Sequence, residues 1–401
     1  MREILGLFTE KDSREELGLG QIRDALGDGL FPGSSTLHTR ARYLLFIPWI
    51  FRQVAENGGT TAHTRRQEIE LIKTLKSAGD GFQGIIGVEA GSTLKTVPSS
   101  LYWSALGVYR ILTDRGLSRE QAVSLHGTPI PSDTEETGQQ TYQAWHTSIP
   151  QAPSGFPGSA PGGMSLTYQE AEWLRERIIS SVPNSMLAHL ATHPLGPESA
   201  VPWDDPTAQA AAGEPQRILH HARLFSDTMH GAQLLYNILI AESYERAGFD
   251  RQQGRIEHFE QKMAEWAQDY HHSGVPHWDL DDFFACVTTI RGSTVSPGSA
   301  AFVRDWVELL RANDPRQLAA MPQARAVVRD RERRNKGAMA RIENRKRLES
   351  WGGSSGAGRY VYRWSYVRTI LTDIHQGLTG APSGTEPSEP VAGVPQEMVG
   401  V

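Results

Sequence analysis

Leu30-Phe31-Pro32-Gly33-Ser34-Ser35-Thr36-Leu37-His38-Thr39-Arg40-Ala41-Arg42-Tyr43-Leu44-Leu45-Phe46-Ile47-Pro48-Trp49-Ile50-Phe51 decides how the rest of the chain is read. It joins the longest apolar run of the sequence to a turn and two closely spaced arginines. Pro32 and Gly33 end whatever precedes, and Ser34, Ser35 or Thr36 offers a hydroxyl to a free first-turn N–H, the chemistry of a helix N-cap. The expected helix runs from that cap to about Asn57, with Gly58 and Gly59 as its stop. Apolar side chains from Tyr43 to Phe51 wrap nearly every face, so this helix belongs in an interior among other helices. Arg40 and Arg42 fall in its expected first turn, where the helix dipole disfavours cations. An internal carboxylate such as Asp24 or Glu89, or a bound anion, should compensate them.

The same helical spacing recurs outward from this stretch, and no strand alternation of any length appears. Helices are predicted over 64–78, over 98–115 and, after the capping box Ser118-Arg119-Glu120-Gln121, to Leu125. A second capping box, Thr167-Tyr168-Gln169-Glu170, opens another. The longest periodic stretch runs from Arg217 to about Ala247, with Gly231 as a point of close approach. Further helices are expected over 255–271, 279–290, 299–311 and 360–378. The fold class read from this is mainly α, with two packed multi-helix domains, 1–126 and 166–378. A Pro/Gly/Ser-rich linker, 127–165, joins them, and 379–401 reads as a disordered C-terminal tail.

Charge narrows the partners. The chain of 401 residues carries a net charge of -6, so it is not a basic nucleic-acid binder as a whole. The exception is 321–350, where ten Lys/Arg stand against four acids. Arg329, Arg333, Lys336, Arg341, Arg345 and Lys346 are its candidates for neutralising phosphates, with Tyr360, Tyr362 and Trp364 just beyond as candidate base-stacking groups. The bland reading of the same segment is a solvated helix paired with acids of the chain itself. One cysteine, Cys286, fits a reducing compartment, and the opening Met1-Arg2-Glu3-Ile4 is no signal peptide. With no apolar run long enough for a membrane span, the expected localisation is cytoplasmic.

Motifs of catalysis find the wrong surroundings. Gly79-Asp80-Gly81-Phe82-Gln83-Gly84 matches G-x-G-x-x-G, but a helix precedes it instead of a strand. Gly352-Gly353-Ser354-Ser355-Gly356 matches G-x-S-x-G without the strand and helix of a nucleophile elbow, and reads as a flexible loop. Leu112 to Ala122 has the turn glycine of a helix-turn-helix but a polar Arg115 before it. His271, His272, His277 and Asp279 have the ligand types of a metal site but no H-E-x-x-H spacing, so no metal or other cofactor is assigned.

Several blocks together resemble a known family. They are Leu19-Gly20-x-Ile22-Arg23-Asp24, Leu30-Phe31-Pro32-Gly33-x-Ser35-Thr36, Thr39-Arg40-Ala41-Arg42-Tyr43, Pro48-Trp49-Ile50, Pro98-Ser99-Ser100-Leu101-Tyr102-Trp103, Ala232-x-Leu234-Leu235-Tyr236-Asn237 and Tyr362-Arg363-Trp364. The chain is similar over about 1–378 to an uncharacterised family of bacterial cytoplasmic proteins classed as a domain of unknown function. The resemblance implies phage defence or mobile-element biology, with a helicase-type protein partner, and carries over no catalytic residue. The expectation is therefore a non-enzymatic component of a bacterial nucleic-acid-handling or anti-phage assembly. Two alternatives stand beside it: a metal-dependent nuclease using the His/Asp set near 271–282, and a protein-binding scaffold.

Overall fold

A computed structural model describes residues 16–78, 83–129, 141–270 and 277–380. The opening segment 1–15, residues 79–82 of the glycine loop, His271 and His272, and residues 381–401 of the expected tail lie outside them. Among the described residues the fold is mainly α, with fifteen α-helices and no strand. They are α1 (Gly20–Leu30), α2 (Tyr43–Glu56), α3 (Thr61–Ser77), α4 (Pro98–Val108), α5 (Arg119–Ser124), α6 (Tyr168–Ser181), α7 (Met186–Thr192), α8 (Pro206–Gln209), α9 (Glu214–Arg246), α10 (Arg255–Tyr270), α11 (Leu280–Arg291), α12 (Pro297–Ala312), α13 (Pro322–Lys336), α14 (Arg345–Glu349) and α15 (Trp364–Thr379).

The 33-residue α9 is the axis of the second half. Leu234, Leu235, Ile238, Leu239 and Ile240 are all buried, and α1, α7, α10, α12, α13 and α14 pack against it. Gly231 is the close-approach point that the sequence suggests: a Cβ there would stand 2.3 Å from the ring of Trp266 on α10. Trp266 in turn donates its indole N–H to the carbonyl of Asp227, at 2.7 Å.

One face of α9 is polar, and it holds a loop. Asn237 accepts from the Ser355 N–H at 2.8 Å and donates to the Ser355 carbonyl at 3.0 Å. The ring of His230 bonds the Ala357 carbonyl at 3.1 Å, and Asp227 pairs with Arg359. The glycine-serine loop expected to be flexible is thus strapped to the core helix. Ser355 is buried and its Oγ accepts from Arg341. Ser354, which holds the serine position of the G-x-S-x-G pattern, is half-buried, and no strand precedes it among the described residues, so this loop is no nucleophile elbow.

The stretch that opened the analysis folds differently at its start. Its helix, α2, begins at Tyr43, with Arg42 as the residue before it. Two of the three hydroxyls expected to cap it are used elsewhere: Ser34 Oγ donates to the Phe31 carbonyl at 2.6 Å, and Ser35 Oγ accepts from the Leu37 N–H at 3.2 Å. Thr39 Oγ1, further on, donates to the Gly84 carbonyl at 2.6 Å. Tyr102 reaches from α4 to accept from the N–H groups of Thr39 and Arg40, at 2.7 and 3.1 Å. Tyr109 donates to the Pro32 carbonyl, Arg363 to the Ser34 carbonyl, and the Phe31 and Trp364 rings stack at 5.8 Å. Blocks far apart in sequence therefore knit one another around residues 31–42.

Helix α4 ends at Val108, short of the expected 115, because Ile111 and Leu112 both donate back to the Leu106 carbonyl and Arg110 takes a left-handed φ of 53°. Leu112 pairs with Trp145 in an isolated bridge, so the first helix of a helix-turn-helix does not form there. The Pro/Gly-rich segment from 141 onward lies against α2 and α4. Trp145 meets Phe51 and Trp103 at 5.7 Å each, and Phe156 meets Phe46 at 5.6 Å and Trp49 at 5.3 Å. The buried apolar residues form one cluster from Leu17 to Ile374.

Candidate nucleic-acid interface

Helix α13 carries the basic segment and has two distinct sides. Ala324, Val328, Arg331 and Glu332 face inward. The Arg331 guanidinium donates to the Leu17 carbonyl at 2.6 Å, the Gly18 carbonyl at 3.1 Å and Ser299 Oγ at 2.8 Å, and it lies over the Phe302 ring. Glu332 is 1% exposed, and its carboxylate accepts from Tyr236 OH at 2.6 Å, from Arg341 N–H at 2.6 Å and from Ile342 N–H at 3.1 Å. A buried carboxyl group that accepts three hydrogen bonds fixes an element in place, because releasing it would leave polar groups unsatisfied in a low-dielectric interior. These two residues therefore lock α13 to α9, to the turn before α1 and to the loop that follows.

The outer side is a stripe. Arg329, Arg333 and Lys336 follow at spacings of four and three, which places them on one helix face. Arg333 pairs with Asp330 at 2.8 Å in an exposed bridge, and Lys336 pairs with Glu16. Arg341 donates to Ser355 Oγ at 2.8 Å and lies 3.9 Å from Glu16. On α14, Arg345 donates to the Ala247 carbonyl at 2.6 Å and covers the Phe249 ring, and Arg347 contacts the Met339 sulfur. Lys346 and Arg334 are exposed, and they form no ion pair with another described residue. Arg333, Arg334, Arg345, Lys346 and Arg347 are exposed and meet at most neutral acceptors or the partly exposed Asp330, so their charge faces solvent, whereas Lys336 and Arg341 are mostly covered and share the buried Glu16.

Three expectations about site residues change. Trp364 is not at the edge of this face: it is fully buried, its indole N–H bonded to Ser199, and Tyr360 and Tyr362 are buried too. Their rings sit in the core because they lead into α15, whose amphipathic face closes the fold. Arg40 and Arg42 point inward as well. Arg40 Nε donates to both Asp373 oxygens at 3.0 Å, and burial raises the Asp373 pKa against that pull. Arg42, 2% exposed, donates to Glu170 at 2.9 Å and to the carbonyls of Pro161 and Gly163 at 2.7 Å each. Their compensating acids are thus Asp373 and Glu170, in place of Asp24 or Glu89.

Of the metal candidates, His277 and Asp279 are described. Asp279 caps α11, accepting from the N–H groups of Asp281 and Asp282 at 2.9 and 3.0 Å. His221 bonds Asp282 at 2.9 Å and accepts from the Trp278 indole at 3.1 Å, which leaves its Nε2 proton on the carboxylate side. Among the described residues, no three of His, Cys, Asp and Glu are grouped so as to hold a metal ion. Cys286 is buried, and burial pushes its thiol pKa up, so it stays a protonated core thiol.

A groove of about 650 Å³ borders α13 on its other flank, between the turn before α1 and the start of α12. Gly18, Ser296, Asp305, Asp330, Arg334 and Asn335 are among its lining residues, so it carries both signs of charge. The sequence offered no signal for it, since its walls come from segments about 280 and 310 residues apart.

A family model matches residues 1–377, that of the family of unknown function DUF6361. The chain belongs to this family. No curated protein and no solved structure matches it. In this DUF6361 member, the sequence blocks around residues 31–43, 98–103 and 362–364 serve the interior, where they bond one another. No helix among the described residues is long and apolar enough to cross a membrane.

Proposed function

We propose that the protein is a nucleic-acid-binding, non-enzymatic component of a larger assembly, and that α13 and α14 form its contact face. The observation that carries this reading is the pairing of a fixed inner side with a cationic outer one. Arg331 and Glu332 hold α13 rigidly, while Arg329, Arg333 and Lys346 project from it and from α14 without bonds beyond their own turn. A fixed helix sets the spacing of the cations it carries, and each one that engages a phosphate releases a condensed counterion. A bacterial nucleic-acid-handling or anti-phage assembly, with a helicase-type partner, is the setting we assign; that part rests on the resemblance alone.

Fluorescence anisotropy with a labelled DNA duplex, repeated over a range of salt, tests the reading. About five phosphate contacts predict a log–log slope of about -4 to -5. Binding that does not respond to salt refutes a phosphate-directed face.

A further inference from the structure

We infer, resting on the nucleic-acid reading above, that the ligand of the α13–α14 face is double-stranded. Proteins that hold single strands combine a basic channel with exposed aromatic rings, on which unpaired bases stack for about 1–3 kcal/mol each. This face has the cations without the rings. Phe302 lies under Arg331, and Phe249 lies under Arg345. Tyr236 is buried with its hydroxyl on Glu332, and Tyr362 is buried with its hydroxyl on the Ala222 carbonyl. Trp364 has no exposed surface. The large apolar side chain that α13, α14 and their connection do expose is Met339, which has no π face.

Shape and charge point the same way. Arg329 and Arg333 stand one turn apart on the outer side of α13 and Lys346 stands on α14, while Lys336, at the end of the same stripe, is paired with Glu16. The neighbouring groove is no substitute, because Asp305 and Asp330 line it against Arg331 and Arg334, so it offers a threaded backbone no net positive charge. From Arg329 to Lys336 the stripe spans about 10 Å of helix, and a duplex presents about 6 phosphate charges over that length, twice what one of its strands presents. A straight row of cations gains most from the stiffer and more highly charged ligand.

The test uses the full chain and one labelled DNA strand of about 20 nucleotides, without self-complementarity, offered alone and annealed to its complement at about 100 mM salt. The expected result is a Kd at least about tenfold lower for the duplex, lost on charge reversal in the triple variant Arg329→Glu, Arg333→Glu, Lys346→Glu. A single strand bound as tightly as the duplex, or more tightly, overturns the inference and leaves the basic face standing. Failure to bind either form overturns the nucleic-acid reading itself. Duplex binding that survives the triple variant also overturns the inference, since the duplex then sits on another surface.

Discussion

Replacing Arg42 by Ala should be among the most damaging single changes in the chain. The side chain is 2% exposed and makes three hydrogen bonds: to Glu170 at 2.9 Å, and to the Pro161 and Gly163 carbonyls at 2.7 Å each. It also lies 5.3 Å from the centre of the Phe46 ring. Truncation leaves Glu170 buried without its cation and two carbonyls without a donor. Breaking a buried ion pair from one side costs about 3–5 kcal/mol. Unfolding entropy of about 2.1 cal/mol/K per residue comes to about 0.8 kcal/mol/K over 401 residues, so about 4 kcal/mol lowers Tm by about 5 °C. Thermal melting followed by urea titration reads the loss. The double variant Arg42→Met, Glu170→Gln removes both charges and keeps the Glu170 contact to Thr167 N–H possible, so it should be more stable than Arg42→Met alone. A loss below about 1 kcal/mol for Arg42→Ala, the level of an exposed ion pair, would refute the buried-pair reasoning.

Other perturbations test other parts of the fold. Gly231→Ala puts a Cβ 2.3 Å from Trp266, and overpacking of this kind costs about 1–3 kcal/mol, more than the gain in helix propensity; urea unfolding at least as resistant as wild type would contradict it. Glu68, buried and bonded to Ser99 at the start of α4, has its pKa raised by burial to about 7 from 4.5. The folded state therefore binds the extra proton: the stabilisation is full below pH 4.5, is lost as pH rises to about 7, and amounts to about 3 kcal/mol. Glu68→Gln removes this dependence, so wild type should lose stability against the variant between acid and mildly alkaline pH, and parallel curves would contradict the assignment. Burial holds His38 and His230 near 4 with the opposite sign, so their contribution is present above 6.5 and is lost as pH falls to about 4.

What the sequence makes legible follows the range of the interactions involved. The capping boxes at Ser118 and Thr167 form as read, because their partners lie three residues away. The α9 helix and its glycine are legible because 33 residues of period and a single missing side chain are strong local signals. The start of α2 is misread because Ser34 bonds back to Phe31 and Thr39 bonds to Gly84, a tertiary partner that no window around residue 39 contains. Asp373 is 333 residues from Arg40, and nothing local marks it as the partner. In the basic segment, Arg331 repeats the register of Ala324 and Val328 at seven and three residues, and this pattern already places it inside. The aromatics at 360–364 are ambiguous in sequence, since a ring serves a core or a binding face equally well, and the helix expected from 360 begins only at Trp364, after Tyr362 and Arg363 take left-handed φ values of 50° and 63°.

The central claim is that the outer side of α13 and α14 meets phosphates. Arg329, Arg333 and Lys346 are the residues to change, because none is bonded outside its own turn, whereas Arg341 and Arg345 anchor to Ser355 and Ala247. The decisive measurement is the salt dependence of duplex binding for Arg329→Glu, Arg333→Glu, Lys346→Glu, taken with the melting curve of the same protein. Each lost phosphate contact removes about 0.9 from the log–log slope, so the account predicts a slope smaller by about 2.7 and binding at least about tenfold weaker, with Tm within about 2 °C of wild type. An unchanged slope and affinity in the folded variant would contradict it.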